Sequence, residues 1–360
     1  MHSGPVQLVP SVIDLLIYLA GWTIGWLLLW RPRPIPAVGA GNARQAIAVV
    51  IPARDEAAAL PHLIPALVAQ LRTGDQLVVV DDHSTDSTGD VATSLGATVV
   101  VPPELPAGWL GKPHACSIGA GATTAPHLLF LDADVRPAPD LLDRVGTELA
   151  AHPDSVVSAQ PWHATGRWTE QASILCNITA LMGSGAFTAA GDRITATVAF
   201  GPVLAVDRST YDDAGGHAHP DVRSMHTEDI GLARTVGHSR VFSGAPDTSF
   251  RMYPDGLAQT IRGWTRSIAT GARFTTWWLA LATLLWVWSL AGGWLASPLL
   301  YPLSALQVWV LGRRAASVHA LTALLFPIAV AAFVVIFVRS LFAVVFGRQV
   351  AWKGRTVAAR

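Results

Sequence analysis

The sequence carries little charge. Only 14% of its 360 residues are Asp, Glu, Lys or Arg, and 25 basic residues balance 25 acidic ones. Because an ordinary soluble domain has about 25% charged residues, a wholly soluble protein is not expected, and the apolar composition excludes a disordered chain. The balance of charges also gives no support to nucleic-acid binding, which requires a basic surface.

Cysteine and several catalytic signatures are scarce as well. The two cysteines, Cys116 and Cys176, cannot form a disulfide framework and suit a reducing compartment. The sequence contains no HExxH zinc motif, no GxSxG nucleophile motif and no GxxxxGK[ST] phosphate loop. No internal repeat is evident, so a repeat architecture is not expected.

What the sequence has in abundance is apolar residues, at 51% of the chain. Val12–Trp30 is a run of 19 residues with a single charge, Asp14. At about 1.5 Å per residue, such a helix nearly spans the ~30 Å apolar core of a bilayer. Arg31 and Arg33 follow the run, so the positive-inside rule predicts an external N-terminus and a cytoplasmic chain from residue 31 onward.

Apolar runs return after Phe274. Trp277–Leu295 and His319–Val338 are long enough to be predicted spans, whereas the 13 residues of Leu299–Leu311 are too short for a full crossing. Basic residues before the first of these runs and in the tail predict a cytoplasmic location for both. We therefore expect two full crossings, with residues 299–314 partly inserted, although Arg313 and Arg314 would also favour the cytoplasm.

These features divide the chain into five predicted parts. They are a transmembrane helix at 1–33, a linker at 34–45, an α/β domain with a juxtamembrane helix at 46–274, a transmembrane region of two or three spans at 275–347, and a basic cytoplasmic tail at 348–360.

The middle part has the pattern of an α/β fold. Short, continuously apolar strands are predicted at Ala48–Ile51, Gln76–Val80, Ala97–Val101 and His127–Leu131. Helices are predicted between them, at Glu56–Leu71, after Ser84-Thr85-Asp86, and at His114–Ala122. This alternation indicates a mostly parallel sheet covered on both faces, whose ligands bind at the carboxyl ends of the strands.

Acidic residues occupy those strand ends. Asp132 and Asp134 form a DxD pair after the fourth strand, where they are suited to Mg²⁺ or Mn²⁺ bridged to a diphosphate. As an alternative, they are turn residues that cap the helix near Pro139. Asp82, after the second strand, is suited to accept hydrogen bonds from a base or ribose. The alternative for this segment is that the Ser/Thr/Asp cluster beside Asp82 caps the next helix.

Three further segments are candidates for chemistry. Glu228 and Asp229 precede a helical stretch, so Asp229 is either a general base or a helix cap. Lys112 lies in a glycine-flanked loop that is either a phosphate contact or a surface turn. Arg262 and Arg266 are one turn apart on a basic amphipathic helix, which suits a membrane surface or a leaving pyrophosphate.

The order of these segments resembles the family 2 glycosyltransferases, which are inverting enzymes of the GT-A fold. The resemblance covers about residues 46–274 and rests on VVIPARDEAAAL, VVVDDHSTDST, FLDADV, HTEDIGLAR and QTIRGW. GWLGKPHA and RMYPDGLAQTIRGWTRSIATGA are similar to a membrane-bound subgroup that contains carotenoid (diaponeurosporenoate) glucosyltransferases, and hopanoid-associated glycosyltransferases are also similar. The QxxRW motif of processive members has Gly263 inserted before Trp264, which argues against a cellulose- or chitin-type polymerase.

The resemblance implies roles for individual residues. Asp229 is implied as the general base, and Asp134 together with Asp132 as ligands of a Mg²⁺ or Mn²⁺ ion. The implied contacts to the nucleotide-sugar are Pro52, Ala53, Glu56, Asp82, Lys112, Asp132, Glu228, Arg262 and, less directly, Trp264.

The expected reaction is the transfer of one hexose, glucose by preference, from a UDP-sugar to a membrane lipid such as a carotenoid or another isoprenoid. Hopanoid, polyprenyl phosphate and glycerolipid acceptors are the alternatives. The expected location is the inner or plasma membrane, as a multi-pass protein with a cytoplasmic catalytic domain. A nucleotidyltransferase would need a basic glycine-rich loop after the first strand and no spans, and a non-catalytic scaffold would have lost its acidic motifs; neither matches this sequence.

Overall fold

The computed structural model describes residues 11–38, 43–191, 198–346, 349–352 and 355–358. Its chain forms two compact units. An α/β unit comprises Arg33–Ala164, Thr195–Met252 and Gly347–Arg360, and a helical unit comprises Met1–Pro32, Thr165–Ile194 and Tyr253–Phe346. This boundary differs from the predicted domain at 46–274, because residues 165–194 and 253–274 group with the apolar helices.

Each of the five predicted parts falls partly outside the described residues. In chain order, the residues outside are 1–10, 39–42, 192–197, 347, and 348, 353–354 and 359–360 of the predicted tail.

The secondary structure follows an alternating pattern through the α/β unit. In chain order, the strands are β1 Ile47–Ala53, β2 Gln76–Asp81, β3 Thr98–Val100, β4 His127–Leu131, β5 Val135–Arg136, β6 Val156–Gln160, β7 Trp162–His163, β8 Val203–Asp207, β9 Ser239–Ser243, β10 Ser249–Phe250, β11 Gln349–Trp352 and β12 Arg355–Ala358. The helices are α1 Val12–Leu28, α2 Leu60–Val68, α3 Thr88–Ser94, α4 Gly111–Gly121, α5 Leu141–Ala151, α6 Ile174–Ser184, α7 Arg208–Asp213, α8 Pro220–Arg223, α9 Glu228–Val236, α10 Leu257–Ala272, α11 Trp277–Ala296, α12 Tyr301–Arg313, α13 Ala320–Leu324 and α14 Phe326–Val345.

The principal sheet has the strand order β3-β2-β1-β4-β8-β6-β9. Strands β1 to β4 are parallel to one another, β6 is parallel to β9, and β8 is antiparallel to both β4 and β6. The strands predicted from the sequence are all present, and the mostly parallel sheet is confirmed. Two smaller sheets, β5-β10-β7 and β11-β12, accompany it.

Both faces of the sheet are buried, as the continuous apolar strands predicted. In β1, Val49 and Ile51 face one apolar cluster, whereas Ala48 and Val50 face another. Helices α2 and α5 contribute to the first cluster, and α4 and α9 contribute to the second. Helix α4 approaches closely, because a Cβ at Gly119 would lie 2.3 Å from Val50 Cγ1. This close packing fixes the start of α4 relative to the strand ends.

In the helical unit, α1 and α11 pack in opposite directions through glycines. A Cβ at Gly25 would lie 2.3 Å from Trp286, and one at Gly293 would lie 2.2 Å from Tyr18. Helices α11 and α14 are long and apolar enough to cross a membrane, and α1 is a shorter apolar helix of 17 residues. Small residues that allow such close approach are typical of helix pairs in membranes.

Helix α12 runs alongside α1 in the same direction. Near its start, the Tyr18 hydroxyl donates to Leu300 O at 3.3 Å, and at its end Arg314 Nη1 donates to Leu29 O at 2.6 Å. Between these points, Gln307 Nε2 donates to Trp22 O. Helix α12 therefore lies alongside α1 from Tyr18 to the end of that helix.

The last apolar segment differs from the predicted span at His319–Val338. A short helix, α13, ends at Leu324, and the 20-residue helix α14 begins at Phe326. Pro327 accounts for the break, since proline lacks the N–H group that a continuous helix would need and is favoured in the first turn of a new one. Leu341–Val345, beyond the predicted span, form the end of α14.

The packing of α1 on α11 yields a stability prediction. We expect Gly293→Ala to lower the free energy of unfolding by about 1–3 kcal/mol, because the added methyl overlaps the Tyr18 ring. Its neighbour is a matched control: a Cβ at Gly292 meets only Trp288, at 3.8 Å. Thermal unfolding in detergent, followed by tryptophan fluorescence, measures both variants, and equal melting temperatures would contradict the packing.

Candidate active site

Three parallel strands of the α/β unit end at one edge of the sheet. Pro52 and Ala53, which close β1, pair with Val80 and Asp81 of β2. Directly beyond, the Asp82 N–H donates to Ala53 O at 2.8 Å, and Asp82 is buried. At the end of β4, the Asp132 N–H donates to Pro202 O at 3.1 Å. The predicted acidic residues therefore lie at the carboxyl edge where α/β proteins bind ligands.

The loops after β1 and β2 are joined by hydrogen bonds. The Asp55 N–H donates to Ser84 Oγ at 2.9 Å, and the Glu56 N–H donates to Thr88 Oγ1 at 2.8 Å. These bonds fix the loop after β1 against the loop after β2. The Ser/Thr/Asp cluster also serves the start of α3, as the capping alternative expected: the N-cap is Ser87, and Asp86 Oδ1 accepts from the N–H of Thr88 at 3.0 Å. Ser87 itself makes no side-chain capping bond.

A polar cleft opens next to these loops. It measures about 420 Å³ and is lined by Arg54, His83, Glu104 and Leu105. One wall is held by Arg54, whose Nη1 donates to Asp82 O at 3.0 Å and lies 3.9 Å from the Asp82 carboxylate. Sequence reasoning identified Asp82 but missed Arg54, although the PARDE segment contains it.

Lys112 is the centre of the ionic contacts at this edge. Its Nζ lies 2.8 Å from Asp132 Oδ1 and 2.8 Å from Glu228 Oε1. Lys112 stands in the first turn of α4 rather than in the predicted loop, because α4 begins at Gly111. Burial alone would lower the pKa of Lys112, but the carboxylates of Asp132 and Glu228 hold it well above the usual value.

Gly201 completes the surroundings of the ammonium group. A Cβ at this position would lie 2.9 Å from Lys112 Nζ, 3.3 Å from Asp229 Oδ2 and 3.5 Å from Glu228 Oε1. The residue just precedes β8, and because β8 is antiparallel to β4, its start meets the end of β4. Sequence reasoning noted small residues in this segment but did not single out Gly201.

Asp134 has an environment rich in negative charge. Burial, together with the carboxylates of Asp132 and Glu56, raises the pKa of Asp134 to about 7, while Lys112 acts in the opposite direction. Neither Asp132 nor Asp134 caps α5, whose N-cap is Asp140. The carboxylates therefore face the strand edge without serving the helix, contrary to the capping alternative.

Asp229 lies in the first turn of α9, after the N-cap Thr227. Burial and the adjacent Glu228 carboxylate raise the pKa of Asp229 to about 7, against the opposite effects of Lys112 and of the Ile230 and Gly201 N–H groups. The Ile230 N–H donates to Asp229 Oδ1 at 2.9 Å. Glu228 itself is buried, at 3% exposed, and pairs with Lys112.

The cysteines are unsuited to nucleophilic chemistry. Cys116 lies on α4 in the buried core, and burial raises the pKa of its thiol well above the usual value. Cys176 is also buried, in α6. Because the thiolate is the nucleophilic form, the chemistry of this edge belongs to the carboxylates and Lys112.

The donor set at this edge fits a hard divalent cation. Asp132 and Asp134 offer carboxylate oxygens, which Mg²⁺ and Mn²⁺ prefer, and the Lys112 ammonium already stands against Asp132 as a cation. Within the described ranges, no three Asp, Glu, His or Cys side chains group closely enough to hold a metal by themselves. A cation here therefore needs further oxygens from a ligand such as a diphosphate.

Arg262 and Trp264 belong to the helical unit. Both lie on α10, which confirms the predicted amphipathic helix. Arg262 is exposed, whereas Trp264 is 4% exposed and packs edge-on against Tyr253, with the ring centroids 6.2 Å apart. Gly263 allows this packing, since a Cβ there would lie 2.2 Å from the Tyr253 ring. Trp264 thus has a packing role within its own unit.

Comparison with known proteins agrees with this geometry. The profile of Glycosyl transferase family 2 matches residues 48–213. A 4,4'-diaponeurosporenoate glycosyltransferase of Staphylococcus aureus (strain USA300) is 32% identical over 268 residues, which are 73% of this chain and 71% of that protein. The chain belongs to glycosyl transferase family 2. The same protein of strain N315 is 33% identical over 248 residues, covering 68% and 66% of the two chains.

The solved structures support the fold of this glycosyltransferase. A mannosyltransferase of Pyrobaculum calidifontis, solved in complex with GDP-mannose and Mn²⁺, matches with a TM-score of 0.56 over 92% of this chain and 96% of that chain. At 17% identity, this similarity concerns the fold alone. It confirms the GT-A architecture predicted from the sequence.

Proposed function

We propose that the enzyme transfers a single hexose from a UDP-sugar to an apolar lipid acceptor, with inversion at the anomeric carbon. The sugar in this proposal is glucose and the acceptor is a carotenoid or a related isoprenoid. The observation that carries the donor half is the contact of Lys112 with Asp132 and Glu228 beside Asp229. This arrangement places cationic and carboxylate groups together at the carboxyl edge of the sheet.

The donor is assigned to the strand ends. Asp132 and Asp134 would hold a Mg²⁺ or Mn²⁺ ion, which when bound neutralises the charge that builds up on the departing diphosphate. Lys112 and the N-terminal N–H groups of α4 favour phosphate oxygens nearby. The residues assigned to the remaining nucleotide-sugar contacts are Pro52, Ala53, Glu56, Asp82 and Glu228, with Arg262 and Trp264 on α10.

Asp229 is assigned as the general base. It takes the proton from the acceptor hydroxyl as that oxygen attacks the anomeric carbon, and a single displacement inverts the configuration. The nearby N–H groups of Ile230 and Gly201 orient the carboxylate. Its raised pKa makes it a stronger base than an ordinary Asp.

The acceptor half rests on the relatives and the apolar helices. The Staphylococcus aureus relative is named for a diaponeurosporenoate acceptor, and it aligns over 73% of this chain. Helices α11 and α14 are long and apolar enough to cross a membrane. An enzyme with such helices is placed to meet an acceptor that is dissolved in the bilayer, which a water-soluble acceptor would not require.

We place the protein in the inner or plasma membrane as a multi-pass enzyme with a cytoplasmic catalytic unit. Arg31 follows α1, Arg273 precedes α11, and Arg314 follows α12. The positive-inside rule therefore puts the end of α1, the start of α11 and the end of α12 on the cytoplasmic side. Phe326, at the start of α14, contacts Tyr301, at the start of α12. In this arrangement residues 299–325 form a re-entrant segment, because α12 with 13 residues is too short for a full crossing of its own, and α14 returns the tail to the cytoplasm.

Asp229→Asn should reduce transfer by about 10²–10⁴-fold while UDP binding stays nearly unchanged, because the amide cannot accept the proton. Asp221→Asn is the control for this variant, since that side chain is 85% exposed. Normal turnover by the Asp229 variant would refute the assignment.

The unmodified enzyme should also depend on pH. Its kcat/KM should fall about tenfold per pH unit below an inflection near pH 7, where Asp229 becomes protonated.

The substrates are identified by a labelling experiment. Membranes that contain the enzyme, incubated with radiolabelled UDP-glucose, should yield label in an organic-extractable lipid, and membranes with the Asp229→Asn variant should not. GDP-mannose and UDP-galactose are run in parallel to test the sugar. Label that remains entirely in the aqueous phase would exclude a lipid acceptor.

The topology is tested with single cysteines in intact cells. A membrane-impermeant maleimide should label Leu299→Cys, whose native side chain is 76% exposed before α12. Arg313→Cys should be labelled only after permeabilisation. Labelling of the second variant in intact cells would contradict a cytoplasmic end for α12.

A further inference from the structure

The position of Lys112 has a consequence for how ligands bind at this edge. Asp132 Oδ1, a proposed cation ligand, is already 2.8 Å from the Lys112 ammonium. A divalent cation that binds Asp132 must therefore displace this ammonium or share an oxygen with it. Sharing is unfavourable, because it brings like charges together in a partly buried place.

The ammonium is also held firmly where it stands. Glu228, which is 3% exposed, contacts it at 2.8 Å. The backbone at Gly201 lies so close that a single added carbon would fall 2.9 Å from Nζ. Leaving Asp132 is favourable for Lys112 only if another anion replaces the carboxylate.

A diphosphate is such an anion. Its oxygens accept hydrogen bonds from an ammonium group, and lysine side chains commonly bind phosphate in this way. When these oxygens arrive, Lys112 can turn from Asp132 to the phosphate and so free the carboxylate.

We propose that Lys112 makes the binding of the divalent cation and of the nucleotide mutually dependent. Without nucleotide, its ammonium occupies Asp132 and opposes the cation; with nucleotide, it contacts the diphosphate and Asp132 becomes available. The inference rests on the proposed cation-dependent UDP-sugar site. By linkage, the factor by which UDP strengthens cation binding equals the factor by which the cation strengthens UDP binding.

The experiment measures Mn²⁺ binding to the full-length protein in detergent, by electron paramagnetic resonance of free Mn²⁺, with and without UDP. We expect Lys112→Met to bind Mn²⁺ alone at least about tenfold more tightly than the unmodified protein. UDP should strengthen Mn²⁺ binding strongly in the unmodified protein and by less than about threefold in the variant. Lys112→Arg, which keeps the charge, should behave as the unmodified protein does.

Two further variants keep the test decisive. Arg72→Met removes a cation that pairs with Asp143 at the surface of the same unit, so it controls for a general change of charge and should leave Mn²⁺ binding unchanged. Lys112→Met combined with Glu228→Gln avoids a buried unpaired carboxylate should the single variant fail to fold, and it should show the same gain.

The outcomes separate this inference from the proposed function. If Lys112→Met, or the double variant in its place, binds Mn²⁺ alone no better than the unmodified protein, the dependence on Lys112 is refuted. If the unmodified protein binds no Mn²⁺ even with UDP, the cation-dependent donor site itself is refuted. Equal gains in the Arg72 control would also overturn the inference.

Discussion

A sheet that is buried on both faces has room for charge only at the ends of its strands. In this protein, β1, β2 and β4 are mostly apolar, and Asp55, Asp82 and Asp132 stand at or just beyond their carboxyl ends. Several carboxylates therefore come together at one edge, and their mutual repulsion must be offset by a cation. Lys112 offers one such cation, and the close packing of α4 at Gly119 is what brings it there.

The same constraint explains the unusual protonation behaviour of the edge. Asp134 and Asp229 are both raised to a pKa of about 7, each by burial together with neighbouring carboxylates. For Asp134 the cause is the crowding of the Asp132 and Glu56 carboxylates around a buried group. For Asp229 it is a property that suits a base working near neutral pH.

Much of the α/β unit was predictable because its signals are local. Strands such as Gln76–Val80 are short apolar runs, and the acidic residues after them follow directly in the sequence. The contacts of Lys112 were not predictable, since Glu228 lies more than a hundred residues away and no local pattern links the two. Gly201 escaped notice for a similar reason: its importance depends on three side chains from α4 and α9 that only the antiparallel start of β8 brings together.

The boundaries of the helical unit were harder to predict than its composition. Apolar runs marked α1 and α11 well, but the span predicted at His319–Val338 begins and ends several residues before α14 does, because Pro327 lies in the first turn of that helix. The assignment of residues 165–194 was not predicted either. Helix α6 is apolar but only 11 residues long, which by sequence alone does not distinguish a helix of the α/β unit from one that packs with the membrane-type helices.

The close contacts around the Lys112 ammonium also affect which substitutions the protein can accept. Any replacement of Gly201 adds at least a Cβ, which would lie 2.9 Å from Lys112 Nζ and 3.3 Å from Asp229 Oδ2. Because Nζ is the end of a flexible side chain, the protein would accommodate such a change by moving the ammonium, so the change would act on its contacts with Asp132 and Glu228 rather than on the fold. At Gly121 on α4 a Cβ would meet nothing within 4 Å, so a substitution there has no comparable effect.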